Sequence, residues 1–421
     1  MLRTALPATG ARNLASILAA MLLGVLLLPG MFGVDSSTVS LFTKMLIAAM
    51  FALGFNVLIG QGGMLSFGHA AYYGAGAFAA LHAMRLAEAG YPIPTPLIPL
   101  AGGLGGLAVG IIAGYFATRR SGVYFSMITF AFAELLHGIA PNLGGVFGGE
   151  SGLSATRKAW AGISFAREIH VYYLTLGWFV LVVLLLWLYG RTPLGRVTLA
   201  LRENEQRLRF MGYDVHRTRT VIFAISAGVS GIAGGLLAVA NESANYIVFA
   251  IDVSAAVVLG TFIGGTGIFF GPVLGASLLV GFAHIFSDLT RLWLLYQGFL
   301  FIAVMLFFPE GIGGLGARVA AAVKSDSRPT LLRRAMQIPA ILGVLVAAIF
   351  MLELFGATFG ADPGRGASAA AKVVKTAKIW GMNVEVLSLW TWLAPAAILA
   401  ASLAVLRTAL RAPPGRARNI A

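Results

Sequence analysis

Apolar residues in this chain come in long runs rather than in alternation with polar ones. Twelve such runs stand near residues 14–32, 41–60, 66–84, 97–117, 123–140, 171–189, 221–240, 253–266, 272–287, 292–308, 338–356 and 387–406. A helix needs about 20 residues to cross the roughly 30 Å apolar core of a bilayer, and most of the runs approach that length. The short alternating segments of an outer-membrane barrel are missing. The pattern predicts an all-α polytopic membrane protein. Residues 45–84 hold no Asp, Glu, Lys or Arg, and that length fits two crossings better than one.

Composition agrees with the pattern. Hydrophobic residues make up 58% of the 421 and charged residues 11%, against about 45–50% and 25% in soluble domains. The net charge of +14 raises nucleic acid as a partner, so the placement of the cations decides. With a cytoplasmic N-terminus, 20 Lys and Arg fall in inside segments and nine outside, while Lys44 stands at the mouth of a span. Cationic segments resist translocation, so both termini are expected in the cytoplasm. No nucleic acid is needed to explain the basic balance. Arg3 and Arg12 before an apolar run imitate a signal peptide, but the run is long and lacks a small-residue cleavage site, so an uncleaved first span is expected. The absence of cysteine excludes disulfides and thiolate metal sites.

Catalytic motifs are missing. "GGTGIFFGP" (264–272) has the glycines of a phosphate loop without its lysine. H-E-x-x-H and G-x-S-x-G do not occur and the six histidines are scattered, so neither a catalytic residue nor a metal site is expected. The glycines of "GGLGGLAVGIIAG" (102–114) are read as small-residue helix packing. Uphill transport would then draw on a separate ATPase chain or on an ion gradient.

The run "LIGQGGMLSFGHAAYYGAGAFAALHAM" (58–84) is too rich in glycine for an ordinary spanning helix. Gly60, Gly63 and Gly68 permit a helix break, which at membrane depth is tolerated only where protein or a water-filled cavity covers the freed backbone groups. Asn56, Gln61 and Ser66 read either as lining of a translocation pathway or as hydrogen-bonding glue between helices. His69 reads either as a substrate contact or as a satisfied interior histidine. "IGGTGIFFG" (263–271), with Gly264, Gly267 and Gly271, echoes "IGQGGMLSFG" (59–68), as in transporters built from repeats. Glu134 lies near the middle of 123–140 and would be costly to bury charged. It is either an ion-coupling site or a packing carboxyl with His137 as partner. The loop "GGVFGGESGL" (144–153), containing Gly149 and Glu150, reads on its own residues as plain turn chemistry.

Residues 190–220 form the longest strongly charged inside segment. Within it, "LALRENEQRLRFMG" (199–212) predicts a short amphipathic helix with Leu201, Leu208 and Met211 on one face. Glu203–Arg207 and Glu205–Arg209 stand four apart in the favourable order. Gly212 suits the left-handed position that ends a helix. Such a helix either lies on lipid headgroups or offers a knob to a cytoplasmic partner, and its mixed charge favours the partner.

Four blocks in order resemble the permease subunits of branched-chain amino acid ABC importers. They are "ALGFNVLIGQGGMLSFGHAAYYGAGAFAA" (52–80), "GVYFSMITFAFAELLHGIAPNLGGVFGGESGL" (122–153), "TPLGRVTLALRENEQRLRFMGYDVHRTRTVIFAISAGVSGIAGGL" (192–236), and "VVLGTFIGGTGIFFGPVLGASLL" (257–279) with "LFFPEGIGGL" (306–315). The likeness covers roughly residues 40–315. It implies a multi-pass protein of the bacterial inner membrane, one of two homologous permease subunits in a heterodimer. Two ATPase subunits would carry ATP–Mg and a periplasmic solute-binding protein would deliver cargo, with no cofactor on this chain. The coupling loop would comprise Leu201, Arg202, Glu203, Asn204, Glu205, Arg207 and Gly212, and the 144–153 loop would border the outer gate or receive the binding protein. Branched-chain or related amino acids are the expected cargo, with urea, short amides or small aromatic acids as alternatives. A gradient-driven secondary transporter using Glu134 is the alternative of another class.

The expected organisation is 1–40 with a first span, a permease core of about ten spans closing at 315, a basic cytoplasmic linker at 316–337, and an extension at 338–421 with two hydrophobic helices. Residues 316–421 fall outside the resemblance. Lys372, Lys375 and Lys378, at helical spacing, suggest an amphipathic surface helix there.

Overall fold

The computed structural model describes residues 35–290, 292–307, 310–314, 343–355 except 345 and 348, 376–379, 382–385 and 388–411. The first span expected near 14–32, the linker 316–337, Lys372 and Lys375 lie outside these residues. The chain divides into two units, Met1–Gly281 with Phe307–Gly313, and Phe282–Leu306 with Gly314–Ala421.

In the first unit α1 (Ser36–Asn56) runs on into a π turn (Val57–Gln61). There follow α2 (His69–Glu88), α3 (Ile98–Ala117), α4 (Val123–Ile139) and α5 (Glu168–Arg191). Two short helices, α6 (Pro193–Glu203) and α7 (Glu205–Phe210), lead to α8 (Val215–Asn241), α9 (Ile251–Gly264) and the start of α10 (Gly271–Leu289). Among the described residues six helical stretches are long and apolar enough to cross a membrane, namely Ser36–Gln61, Thr95–Ala117, Val123–Asn142, Glu168–Arg191, Val215–Asn241 and Gly271–Leu289. Helix α2 matches them in length but is less apolar, and α9 has only 14 residues. The protein is mostly helical and multi-pass.

Helix α8 packs on α1, α2 and α3. Its sequence "GVSGIAGG" (228–235) offers almost no side chain, so backbones meet directly. A Cβ added at Gly106 of α3 would stand 2.6 Å from the Ala227 carbonyl, and one at Gly102 would stand 2.7 Å from that of Gly231. One at Gly76 of α2 would overlap the Gly231 backbone. The glycines of 102–114 thus pack helices, as their spacing implies. Dispersion and close approach hold such contacts, because apolar side chains gain nothing from leaving lipid.

At one end of this bundle β1 (Leu153–Ser154) pairs antiparallel with β2 (Ser243–Ala244). Next to them Arg157 lies between Glu242 at 3.0 Å and Glu168 at 3.1 Å. The Thr156 amide and hydroxyl both donate to Glu88 at 2.6 Å. This end also carries the turn of Gly149 and Glu150, with Gly149 at φ +70°.

The second unit contains α11 (Trp293–Phe307), a hairpin of β3 (Thr376–Ile379) and β4 (Met382–Glu385), and α12 (Leu389–Arg411). Glu353 accepts hydrogen bonds from the Thr290 and Tyr296 hydroxyls. Lys378 sits in β3, opposite Asn383, and not on the amphipathic helix its spacing suggested. Alternation over TAKI and MNVE suits two strands, and the pair satisfies backbone groups that an isolated short helix would leave to water.

Gly231→Leu should separate α8 from α2 and α3. Overpacking of this kind costs about 1–3 kcal/mol, so the thermal midpoint of the detergent-purified protein should fall clearly. Gly138→Ala, where nothing lies within 4 Å of the added carbon, should leave the midpoint near that of the parent; equal behaviour of the two would refute the packing account.

Candidate coupling site at the helix break

Helix α1 ends in a π turn, and Gly60 within it has no room for a side chain. A Cβ at Gly60 would collide with the Asn56 side chain and stand 2.6 Å from the Thr266 carbonyl. The turn closes through the Gly62 amide to the Val57 carbonyl at 3.2 Å, and Gly63 follows at φ +68°. The break therefore joins α1 to α2 instead of interrupting one crossing. Protein groups meet its freed polar atoms. Ser126 donates to the Leu65 carbonyl at 2.6 Å, the Ser66 hydroxyl accepts from the Gly68 amide at 3.3 Å, and Ser254 accepts from the Ala70 amide at 2.9 Å. Gly68 lets α2 begin directly against the Thr129 carbonyl of α4. The echoing stretch 264–271 forms the turn between α9 and α10, where Gly264 and Gly271 pack backbone on backbone while Gly267 has open space.

His69 is fully buried among Phe55, Tyr72 and Phe223. Ser226 has one hydroxyl proton and donates it to the Gly54 carbonyl at 2.7 Å. The 2.8 Å contact between Ser226 and His69 Nε2 is therefore donated by the imidazole. That leaves Nδ1 as a bare acceptor, buried without a hydrogen-bond partner among the described residues, as are Asn56 Oδ1, Gln61 Oε1 and the Tyr72 hydroxyl. The break thus gathers Asn56, Gln61, Ser66 and His69 in one region of the bundle. Glu134 is not among them. It sits half-buried on α4, with no hydrogen bond or ion pair among the described residues, and His137 lies tilted against the Tyr246 ring at 5.5 Å instead of pairing with it.

The charged segment is two helices, not one. Thr192 caps α6 by accepting from the Gly195 amide at 3.1 Å, with Pro193 in the first turn. Asn204 then leaves helical geometry at φ −157°, and its side chain accepts from the Arg207 amide at 2.9 Å, which caps α7. An asparagine that can satisfy a free amide competes with continuation of the helix. Two expectations fail at this kink. Glu203 and Arg207 form no ion pair, and Met211 is exposed while Leu201 and Leu208 are buried. Gly212 does take the left-handed conformation, at φ +85°, with the Tyr213 amide bonded back to the Leu208 carbonyl at 3.3 Å.

Two of the expected coupling-loop residues, exposed Arg202 and half-buried Glu205, make contacts within the chain, and the expected Glu205–Arg209 pair forms. Arg202 donates to the Gly60 carbonyl in the π turn, and a Cβ at Gly63 would stand 3.0 Å from its Cγ. Glu205 bonds Arg209 through one oxygen and Arg219 of α8 through the other, each at 2.5 Å. The α6–α7 segment is thus fastened both to the break and to the central helix. Ser126, Ser226 and Ser254 escaped the sequence reading; their signal was a lone hydroxyl within an apolar run.

The profile of branched-chain amino acid transport system permease components matches residues 37–309. The chain belongs to that permease family. It is a permease of the ATP-binding-cassette type, multi-pass in the membrane, and its named relatives are transport subunits. Similar to this permease are the high-affinity branched-chain amino acid transport system permease proteins LivM of Escherichia coli and Salmonella typhimurium. The first is 30% identical over 305 residues, 67% of this chain and 71% of that protein. The second is 29% identical over 331 residues, 73% of this chain and 77% of that protein. The autoinducer 2 import system permease protein LsrC of Klebsiella pneumoniae is 36% identical over 113 residues, 25% of this chain and 32% of that protein. No solved structure matches this permease.

Asn204→Ala in the permease should remove the α7 cap at a cost of about 0.5–2 kcal/mol. Amides of 205–210 should exchange with solvent several-fold faster while those of α8 stay protected. Unchanged exchange in 205–210 would refute the cap.

Proposed function

We propose that this permease carries branched-chain or related hydrophobic amino acids inward as one of two homologous permease subunits. Two ATPase subunits holding ATP–Mg drive the pair, and a periplasmic solute-binding protein delivers the cargo. In this arrangement 192–212 and both termini face the cytoplasm, α6–α7 docks on an ATPase, and a core of about ten spans over 41–315 precedes the linker 316–337 and the extension 338–421. The observation that carries the proposal is the double fastening of α6–α7. A push on it is passed by Arg202 to the π turn and by Glu205 to α8. Phe210, which is 91% exposed, and the neighbouring Met211 give the segment an apolar face for a protein partner. Asn56, Gln61, Ser66 and His69 supply polar atoms near the break for a pathway, and the loop of Gly149 and Glu150 borders the opposite, outer end.

Cargo choice rests largely with the binding protein. Relatives serve unlike cargoes, branched-chain amino acids and autoinducer 2. Urea, short amides and small aromatic acids suit the same scaffold, and a ligand screen of the co-encoded binding protein separates them. The half-buried, unpaired Glu134 favours a second reading, ion coupling by a secondary transporter.

Two measurements test the proposal. In proteoliposomes containing all subunits, uptake should require ATP and survive an uncoupler, and Glu134→Gln should retain most of the activity. Loss of uptake to an uncoupler with ATP still present would support ion coupling instead. Glu203→Arg and Gly212→Val leave the spans untouched, so protein level should stay near normal. Gly212→Val forces a β-branched residue into a left-handed site at about 1 kcal/mol or more. Both should weaken ATPase capture and transport together; if both variants assemble and pump like the parent, α6–α7 is a surface feature and the docking assignment fails.

A further inference from the structure

Beside the double fastening lies a cavity of about 480 Å³ that the docking proposal does not use. Its walls come from the π-turn exit, the α3–α4 turn, α4, α6, α7 and α8, all within the first unit. The charged residues lining it are Arg120, Arg202, Arg219 and Glu205, so three positive charges face one negative. Both oxygens of Glu205 are already engaged, by Arg209 and Arg219. Arg202 directs one of its five N–H donors to Gly60. The Arg120 guanidinium makes no hydrogen bond or ion pair among the described residues. Crowding guanidiniums around one space is unfavourable at the reduced dielectric of a protein surface, by a Coulomb energy that an anion between them would reverse.

We propose that this cavity binds a phosphate-type oxyanion, either free or as the headgroup of an anionic lipid. Guanidinium forks from three separate elements can address several oxygens at once, which suits a tetrahedral phosphate better than a planar carboxylate. Helix α4 opens towards the cavity through Gly122 and Val123, and no side chain caps its first amides. Those amides add donors and the positive end of the helix dipole. The volume exceeds that of bare phosphate and leaves room for a substituent. The same two helices, α3 and α4, form an apolar groove of about 350 Å³, lined by residues such as Phe116, Ile128 and Leu135, that suits an acyl chain. Basic pockets between helix ends commonly hold anionic headgroups.

The test uses the full-length protein in phosphatidylcholine nanodiscs. Inorganic phosphate is titrated against chloride at matched ionic strength, and in parallel phosphatidylglycerol replaces part of the lipid. Thermal midpoint and native mass spectrometry are the readouts. At least one of the two probes should raise the midpoint above its control. Arg120 is exposed and unpaired among the described residues, so Arg120→Gln should not lower the unliganded midpoint while raising the half-saturating concentration about tenfold, as expected for loss of one charge-assisted bond. Arg196→Gln, on α6 but outside the cavity wall, should change neither quantity. Stabilisation by inorganic phosphate identifies a free anion as sufficient. Stabilisation by phosphatidylglycerol alone, with the lipid retained in the mass spectrum and lost in Arg120→Gln, identifies the headgroup. No stabilisation by either probe, or an effect that Arg120→Gln leaves intact, overturns the proposal.

Discussion

Direct backbone contact between α8 and its neighbours α2 and α3 is the constraint on which the other geometry rests. Helices in lipid have little to gain from burying apolar side chains against each other, so their positions are fixed where backbones can touch. Gly76, Gly102, Gly106 and Gly231 make that possible. Once α2 is held against α8, His69 reaches Ser226. Once α8 is held centrally, its Arg219 reaches Glu205. The polar site is a by-product of an apolar fit.

A second constraint is the cost of unmet backbone polarity in a medium without water. The joint between α1 and α2 is irregular over about a dozen residues, and each partner that meets it comes from a different helix. Ser126 comes from α4, Ser254 from α9 and Arg202 from α6. The joint is therefore a place where several helices register one another's position. Under the proposed docking, it is also where a force arriving through α6 and α7 would be felt.

Much of this was legible in the sequence. Every apolar run between 41 and 308 holds a helix, because length and hydropathy decide that question locally. The packing role of the glycines at 102–114 and the left-handed Gly212 also follow from local rules. What escaped depended on partners far along the chain or on competition between neighbours. Arg202 and Gly60 are 142 residues apart, and nothing near either one announces the other. Asn204 carried the ambiguity of its type, able to continue a helix or to cap the next, and the gain from capping Arg207 won. Glu134 and His137 stood one helical turn apart, yet Tyr246 on another segment gave the ring a better surface. The site residues were thus found by type, and their directions were not.

A π turn contains one residue more than an α-helix uses over the same rise. At the end of α1 that surplus is stored chain. Rewinding it into α geometry would rotate Gln61 and all that follows by about 100°. The Gly60 carbonyl would then swing away from the guanidinium of Arg202, and His69 would leave its slot against α8. If α6–α7 docks as proposed, traction on α6 and a change of winding in α1 would meet at one hydrogen bond, from Arg202 to the Gly60 carbonyl.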